Sequence, residues 1–257
     1  MKLVMKIFDF FENLLFPPKC VGCKELYQKN IFDSCAVPLC DKCRVKWEYE
    51  KLDICPDCEL EMTVCNCGSK LLDKLGVNSF VKLINYSVTS KSVGKSAVLY
   101  LKRHKNKRVF DYFSSQLSYA VSGKLKKCGC KKAVIAYVPR GRKSFVEYGL
   151  DQSREIAQRL SKHCDAEFVS LFKRTSKNAL DQKKLGKKER LENAKDLYVL
   201  NPKAVKNLED TDCVLIVDDV LTSGASLGGC ILKLREVYNN NVICVTLART
   251  GKKRKNN

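Results

Sequence analysis

The sequence predicts an α/β protein, a mostly parallel sheet flanked by helices, preceded by a small N-terminal module that holds metal. Three observations carry this. Strand-like and helix-like segments alternate from residue 71 onward. Nine of the fifteen cysteines lie between Cys20 and Cys67. A single run, VLIVDDVLTSGAS from Val214 to Ser226, joins a buried strand to a helix through a turn of Thr, Ser, Gly and Ala.

At 257 residues the chain accommodates one good-sized domain and a small one. A hydrophobic content of 45% argues against global disorder. Lys and Arg number 48 against 28 acids, a formal charge of +20 that attracts polyanions from a distance. Eight metal-bound thiolates would trim it to about +16.

The first sixteen residues place Leu3, Ile7, Phe10, Phe11, Leu14 and Leu15 at helical spacing, as in a short helix packed on the module behind it. Lys6, Asp9 and Glu12 interrupt the stretch and no small-residue cleavage site follows, so it reads as neither a secretion signal nor a membrane span. A reducing, cytoplasmic setting follows, with cysteines serving metals rather than disulfides.

Cys20 and Cys23, Cys40 and Cys43, and Cys55 and Cys58 form CxxC pairs, and Cys65 and Cys67 form a CxC. Two-residue spacing turns both thiolates of a knuckle toward one ion at about 2.3 Å, and two knuckles complete a tetrahedron. The simplest pairing is sequential. Cys20, Cys23, Cys40 and Cys43 hold one zinc, and Cys55, Cys58, Cys65 and Cys67 hold the other. Closed four-thiolate sets favour zinc over an iron–sulfur cluster, and Cys35 is left over. Each ion contributes roughly 10–16 kcal/mol to folding a segment too small to build its own core, so both zinc sites are structural.

Beyond the module, Asn78 to Val88 reads as a strand, and Ser92 to Leu101 and Asp111 to Val121 as helices. Ala133 to Val138 is a short apolar strand, Gln152 to His163 a helix, and Phe168 to Phe172 a brief strand. The polar stretch Lys173 to Lys188 has no apolar periodicity. Cys213 to Val217 is a buried strand, Ser226 to Tyr238 a helix, and Val242 to Leu247 a last strand. This order builds a parallel sheet covered on both faces, whose ligands sit at the carboxyl ends of the strands. Domain boundaries fall at residues 1–70 and 71–250, with a basic, disordered tail at 251–257. No internal repeat is evident. Cys164, Cys213, Cys230 and Cys244 lie in or beside apolar segments as small core residues. Cys128 and Cys130 form a loop thiol pair, and His104 and His163 stand apart from any cysteine.

The Val214 to Ser226 run is the most informative. Thr222, Ser223, Gly224, Ala225 and Ser226 offer backbone N–H groups and hydroxyls at a helix N-terminus, which favours a phosphate. Gly224 lets the backbone approach a ligand closely. Asp218 and Asp219 lie one turn away, where carboxylates accept hydrogen bonds from ribose hydroxyls. An ATPase reading of the acidic strand end needs a Walker A loop. The only candidate, Gly94-Lys95-Ser96, has Thr89 where that loop requires glycine.

This run resembles the phosphoribosyl diphosphate (PRPP) signature of type I phosphoribosyltransferases. Together with LLFPPKCVGC, the cysteine module, VPRGRKSFVEYGLDQSREIAQRL from Val138 and KRTSKNALDQKKLGKKERLENAKDLYVL from Lys173, it is similar to the ComF family of competence proteins. The resemblance covers nearly the whole chain, most loosely from Leu71 to Lys132. It implies a double zinc ribbon joined to a type I phosphoribosyltransferase fold that binds PRPP or ribose 5-phosphate with Mg²⁺. It also implies handling of single-stranded DNA during natural transformation, beside a helicase-like competence protein.

Carried over by residue, Arg140, Gly141, Arg142 and Lys143 form the pyrophosphate loop. Gly149, Asp151 and Gln152 match the family's RGFNQ run, with Asp151 in place of Asn. Arg174, Gln182, Leu185, Arg190 and Asn193 belong to a flap over the site. The resemblance assigns Asp218, Asp219, Arg140, Lys143 and Arg174 to catalysis by charge stabilisation of a departing diphosphate. Tyr148 stands where the family has Arg, and Ser144 and Val146 where basic residues are common, so this loop carries less positive charge. A non-enzymatic nucleic-acid-binding factor is the alternative. For that role the sequence offers KRHKNKR, namely Lys102, Arg103, Lys105, Lys107 and Arg108, flanked by Tyr100, Phe110, Tyr112 and Phe113.

Overall fold

The structure is a computed structural model that describes residues 17–27, 37–86, 92–175 and 196–250. Its centre is a five-stranded, wholly parallel sheet. In chain order the strands are β1 (Phe80–Tyr86), β2 (Ala133–Tyr137), β3 (Glu167–Phe168), β6 (Cys213–Leu221) and β7 (Asn241–Thr250). Their spatial order is β1-β7-β6-β2-β3. A separate antiparallel pair joins β4 (Phe172–Arg174) to β5 (Tyr198–Leu200), with Arg174 opposite Tyr198. The single strand expected over Phe168 to Phe172 is thus two short strands in different sheets. Val169 and Leu171 are buried at the corner between them.

Alternation along β6 decides which helices cover which face. Leu215 and Val217 share a core with α4 (Lys107–Lys127) and α6 (Gln152–Cys164), through Phe110, Phe113, Leu117, Ile156 and Leu160. Val214 and Ile216 share the opposite core with α8 (Ala225–Leu234), through Leu227, Cys230, Ile231 and Leu234. The helices lie where the apolar periodicity puts them, although α4 runs further at both ends than the expected Asp111 to Val121 and α8 stops at Leu234, short of the expected Tyr238. Asn106 caps it, accepting hydrogen bonds from the Arg108 and Val109 amides.

The cysteine segment docks on the outer edge of this sheet. Its helix α1 (Asp41–Lys51) packs Trp47 edge-on against Phe113. The Glu50 carboxylate accepts the Val93 and Gly94 amides at 2.6 and 2.7 Å, capping helix α3 (Val93–Arg103). A second attachment is the fully buried Lys82 of β1, whose Nζ donates to the carbonyls of Cys65 and Cys67 at 2.8 and 2.9 Å. A short helix, α2 (Lys70–Asp73), then leads from the last cysteine back to the sheet.

Strand order creates the crevice. From β2 the chain leaves toward β3 on one side, and from β6 it leaves toward β7 on the other. The segments after β2 and β6 therefore part at neighbouring strand ends, the place where parallel α/β sheets bind ligands.

Candidate functional site

The loop after β2 forms one wall. Val138 donates to the carbonyl of Val217 at 2.9 Å, which ties the end of β2 to β6 just before the acid pair. The Arg140 amide donates to Asp151 Oδ2 at 2.8 Å, and Asp151 Oδ1 accepts the Arg154 amide at 3.2 Å as the N-cap of α6. Asp151 thus binds both ends of the loop, a task that an acceptor-only carboxylate performs as well as an amide oxygen. Burial pushes its carboxyl up, against the pull of those two amides. A helix that the sequence reading missed, α5 (Arg142–Tyr148), occupies the middle of the loop and ends at Gly149 in a left-handed conformation. Lys143 falls in its first turn. Tyr148, at its last, lies under the Arg140 guanidinium at 4.9 Å from the ring centre.

The acid pair sits inside β6 rather than beyond its end, because β6 continues alongside β7 to Leu221 after β2 has stopped at Tyr137, opposite Val217. Asp218 accepts a hydrogen bond from Ser153 Oγ at 3.1 Å and another from the Asp219 amide at 2.9 Å. Burial, then the adjacent Asp219 charge, pushes the Asp218 carboxyl up to about 8. Asp219 faces the other way and meets Lys102 Nζ at 3.3 Å from Oδ2. Lys102 belongs to the last turn of α3. A residue expected on a nucleic-acid surface therefore stands at the crevice.

The floor is the turn before α8. Thr222 and Ser223 are exposed, Gly224 is buried with φ +80°, and no side chain caps the helix. Ser223 Oγ accepts the Ala225 amide at 3.4 Å. Gly224 has no room for a side chain, since a Cβ would lie 2.6 Å from Ser69 Oγ and 2.9 Å from Leu72 Cγ. The requirement for glycine here comes from the cysteine segment as well as from backbone conformation, because Ser69 follows Cys67 by two positions.

Arg174 joins the loop after β2 to β5. It lies across Gly141, where a Cβ would be 3.3 Å from its Nε. It donates to the Tyr198 hydroxyl at 3.3 Å, with its guanidinium 5.6 Å from the ring centre. Tyr198 is buried, and burial pushes its phenol up. Arg140, Gly141, Arg174, Asp218, Asp219 and residues 222–226 thus surround one crevice. Ser153, Tyr198 and Lys102 were not expected there. Ser153 and Tyr198 lie within the two quoted family segments but carry no spacing signal of their own. Gln182, Leu185, Arg190, Asn193 and most of the expected flap lie outside the described residues, as do Cys35 and the first sixteen residues.

Each four-cysteine set converges. The sulfur atoms of Cys20, Cys23, Cys40 and Cys43 all lie within 4.8 Å of one another, and so do those of Cys55, Cys58, Cys65 and Cys67. Two thiolates on one tetrahedral zinc stand about 3.8 Å apart, and Cys23 to Cys40 measures 3.8 Å. Both sets could hold zinc. Their first knuckles share one backbone geometry. The Lys24 and Glu59 amides return to the Cys20 and Cys55 carbonyls, each at 2.9 Å, and both residues have positive φ. Bridges Lys19 to Leu26 and Ile54 to Glu61 close the two turns in the same way. A duplicated knuckle is therefore present where no repeat was expected, because only cysteines and backbone geometry recur while the other side chains differ. Among the described residues no other group of three or more potential ligands meets this geometry, Cys128 and Cys130 included.

The basic run divides. Arg103, Lys105, Lys107 and Arg108 are exposed, while Lys102 is half-buried. Phe110 and Phe113 belong to the core and cannot stack on bases, while Tyr100 packs on His104 with ring centres 4.4 Å apart. No helix among the described residues is long and apolar enough to cross a membrane. Compared with known proteins, the chain matches no family model and no curated sequence.

Proposed function

We propose that this chain is a ComF-like protein with a type I phosphoribosyltransferase fold, whose crevice binds PRPP or ribose 5-phosphate. The observation that carries this reading is the convergence, at the point where strand order reverses, of an acid pair, a hydroxyl- and amide-rich turn, and two arginines, Arg140 from the loop after β2 and Arg174 from the end of β4. Each component answers one part of the ligand. The turn Thr222–Ser226 receives the 5-phosphate through N–H groups and hydroxyls. Asp218 and Asp219 accept hydrogen bonds from the ribose hydroxyls. Arg140 and Arg174 oppose the diphosphate and stabilise its charge as it departs. Mg²⁺ would arrive with the diphosphate and neutralise part of its charge. The half-buried carboxylates of Asp218 and Asp219 are the oxygen donors that suit such a hard cation.

The two four-cysteine sets serve as structural zinc sites in this reading. The exposed Lys105, Lys107 and Arg108 supply the positive surface for single-stranded DNA, next to a helicase-like partner in DNA uptake. Calorimetry with PRPP, with and without Mg²⁺, tests the central claim. Wild type should bind and the double variant Asp218→Ala with Asp219→Ala should not. Equal heats from the two proteins refute it.

A further inference from the structure

The acid pair has a cation that belongs to neither ligand-binding loop. Lys102 Nζ stands 3.3 Å from Asp219 Oδ2, with 34% of the lysine side chain and 22% of the aspartate side chain exposed. It reaches the crevice from α3, which crosses the outer edge of the sheet and is held at its far end by Glu50 of α1. Ala97, Val98 and Leu101 of the same helix are buried, so the helix has little freedom to rotate Lys102 away. The end of α3 therefore brings Lys102 to the acid pair.

An ionised carboxylate beside a phosphorylated sugar meets a difficulty. While it accepts ribose hydroxyls it also repels the phosphate a few ångströms away. A divalent cation resolves this for a diphosphate ligand, because that ligand brings the ion with it. A monophosphate brings none.

We infer that Lys102 is the built-in counter-ion of the acid pair, a positioning residue that lets the crevice hold a ribose monophosphate without a divalent metal. This rests on the ribose-phosphate reading above. Lys102 keeps one oxygen of Asp219 oriented and cancels one charge, leaving the remaining carboxylate oxygens to the sugar. A methionine in its place keeps the apolar stem and removes the charge.

The test is calorimetric titration of ribose 5-phosphate into the full zinc-loaded chain as wild type, Lys102→Met and Lys102→Arg. Each is measured with Mg²⁺ and, after dialysis into Mg²⁺-free buffer, without it. Thermal unfolding establishes that each variant is folded, with Lys102→Gln as a second neutral variant should the methionine form be unstable. Without Mg²⁺, Lys102→Met should bind roughly fivefold more weakly than wild type, the upper range for one partly exposed ion pair. Adding Mg²⁺ should recover most of that loss, and Lys102→Arg should remain within about twofold of wild type. Equal or tighter binding by the neutral variant without Mg²⁺ overturns the inference, since it would make Lys102 a competitor of the sugar. An arginine variant as weak as the methionine variant overturns it too. Wild type that binds neither ribose 5-phosphate nor PRPP in either buffer removes the ribose-phosphate reading itself, and the role of Lys102 with it.

Discussion

Replacing Gly224 by alanine probes the contact between the cysteine segment and the candidate phosphate turn. At φ +80° an L-residue other than glycine carries about 1–2 kcal/mol of strain. The new Cβ also lies 2.6 Å from Ser69 Oγ and 2.9 and 3.0 Å from two carbons of Leu72. Leu72 is fully buried and cannot swing aside. Overpacking of this kind costs about 1–3 kcal/mol. The two contributions together predict a loss of about 3 kcal/mol in the unfolding free energy of the zinc-loaded chain, measured by urea titration. Combining the change with Ser69→Ala separates them. Removing the hydroxyl relieves the shortest contact and should return about 1 kcal/mol, while the conformational strain stays. Because Ser69 lies two residues beyond Cys67, displacement of the turn should also speed zinc release from the second set. A Gly224→Ala protein within about 0.5 kcal/mol of wild type would refute the reasoning. So would a pair of changes that simply add, since the contact would then not be the cause.

Two further outcomes follow from the same geometry. The Asp218 carboxyl is held protonated up to about pH 8 by burial and by the Asp219 charge. A group that binds its proton more tightly in the folded chain contributes stability at low pH and loses it as pH climbs from about 4 toward about 8. Asp218→Asn keeps the acceptor for Ser153 and removes this loss. The variant should therefore gain stability over wild type across that window in unliganded protein, and a gap that stays constant with pH would contradict the assignment. At the second cysteine set, Arg249 of β7 donates to Cys55 Sγ at 3.5 Å and also pairs with Asp57. Arg249→Met should weaken zinc at that set by about tenfold and leave the first unaffected, as chelator competition would resolve. Loss of both ions in parallel would show that Arg249 acts on folding instead.

Much of the site is legible in the chain because its parts are contiguous. The acids, the hydroxyl turn and the start of α8 fall within Val214 to Ser226, and a strand followed by a glycine turn and a helix places them together whatever surrounds them. The loop from Arg140 to Asp151 is legible for the same reason, although α5 within it was missed. Arg142 to Tyr148 mixes charged and aromatic residues on a mostly exposed helix, which leaves no apolar stripe to detect. The split of Phe168 to Phe172 between two sheets was likewise hidden. A turn of buried Val169 and Leu171 reads the same as a continuous strand.

By itself, the sequence determined the features that depend on spacing within a turn or two: two sets of paired cysteines, apolar strands alternating with helices, and the acid pair beside its phosphate-type turn. Tertiary structure alone decided that Lys102 faces Asp219, that Arg174 lies on Gly141, and that Ser69 closes on Gly224. Those meetings depend on strand order and on the docking of the cysteine segment at the sheet edge. Periodicity reports which face of an element is buried, but it carries no information on which distant element will cover it.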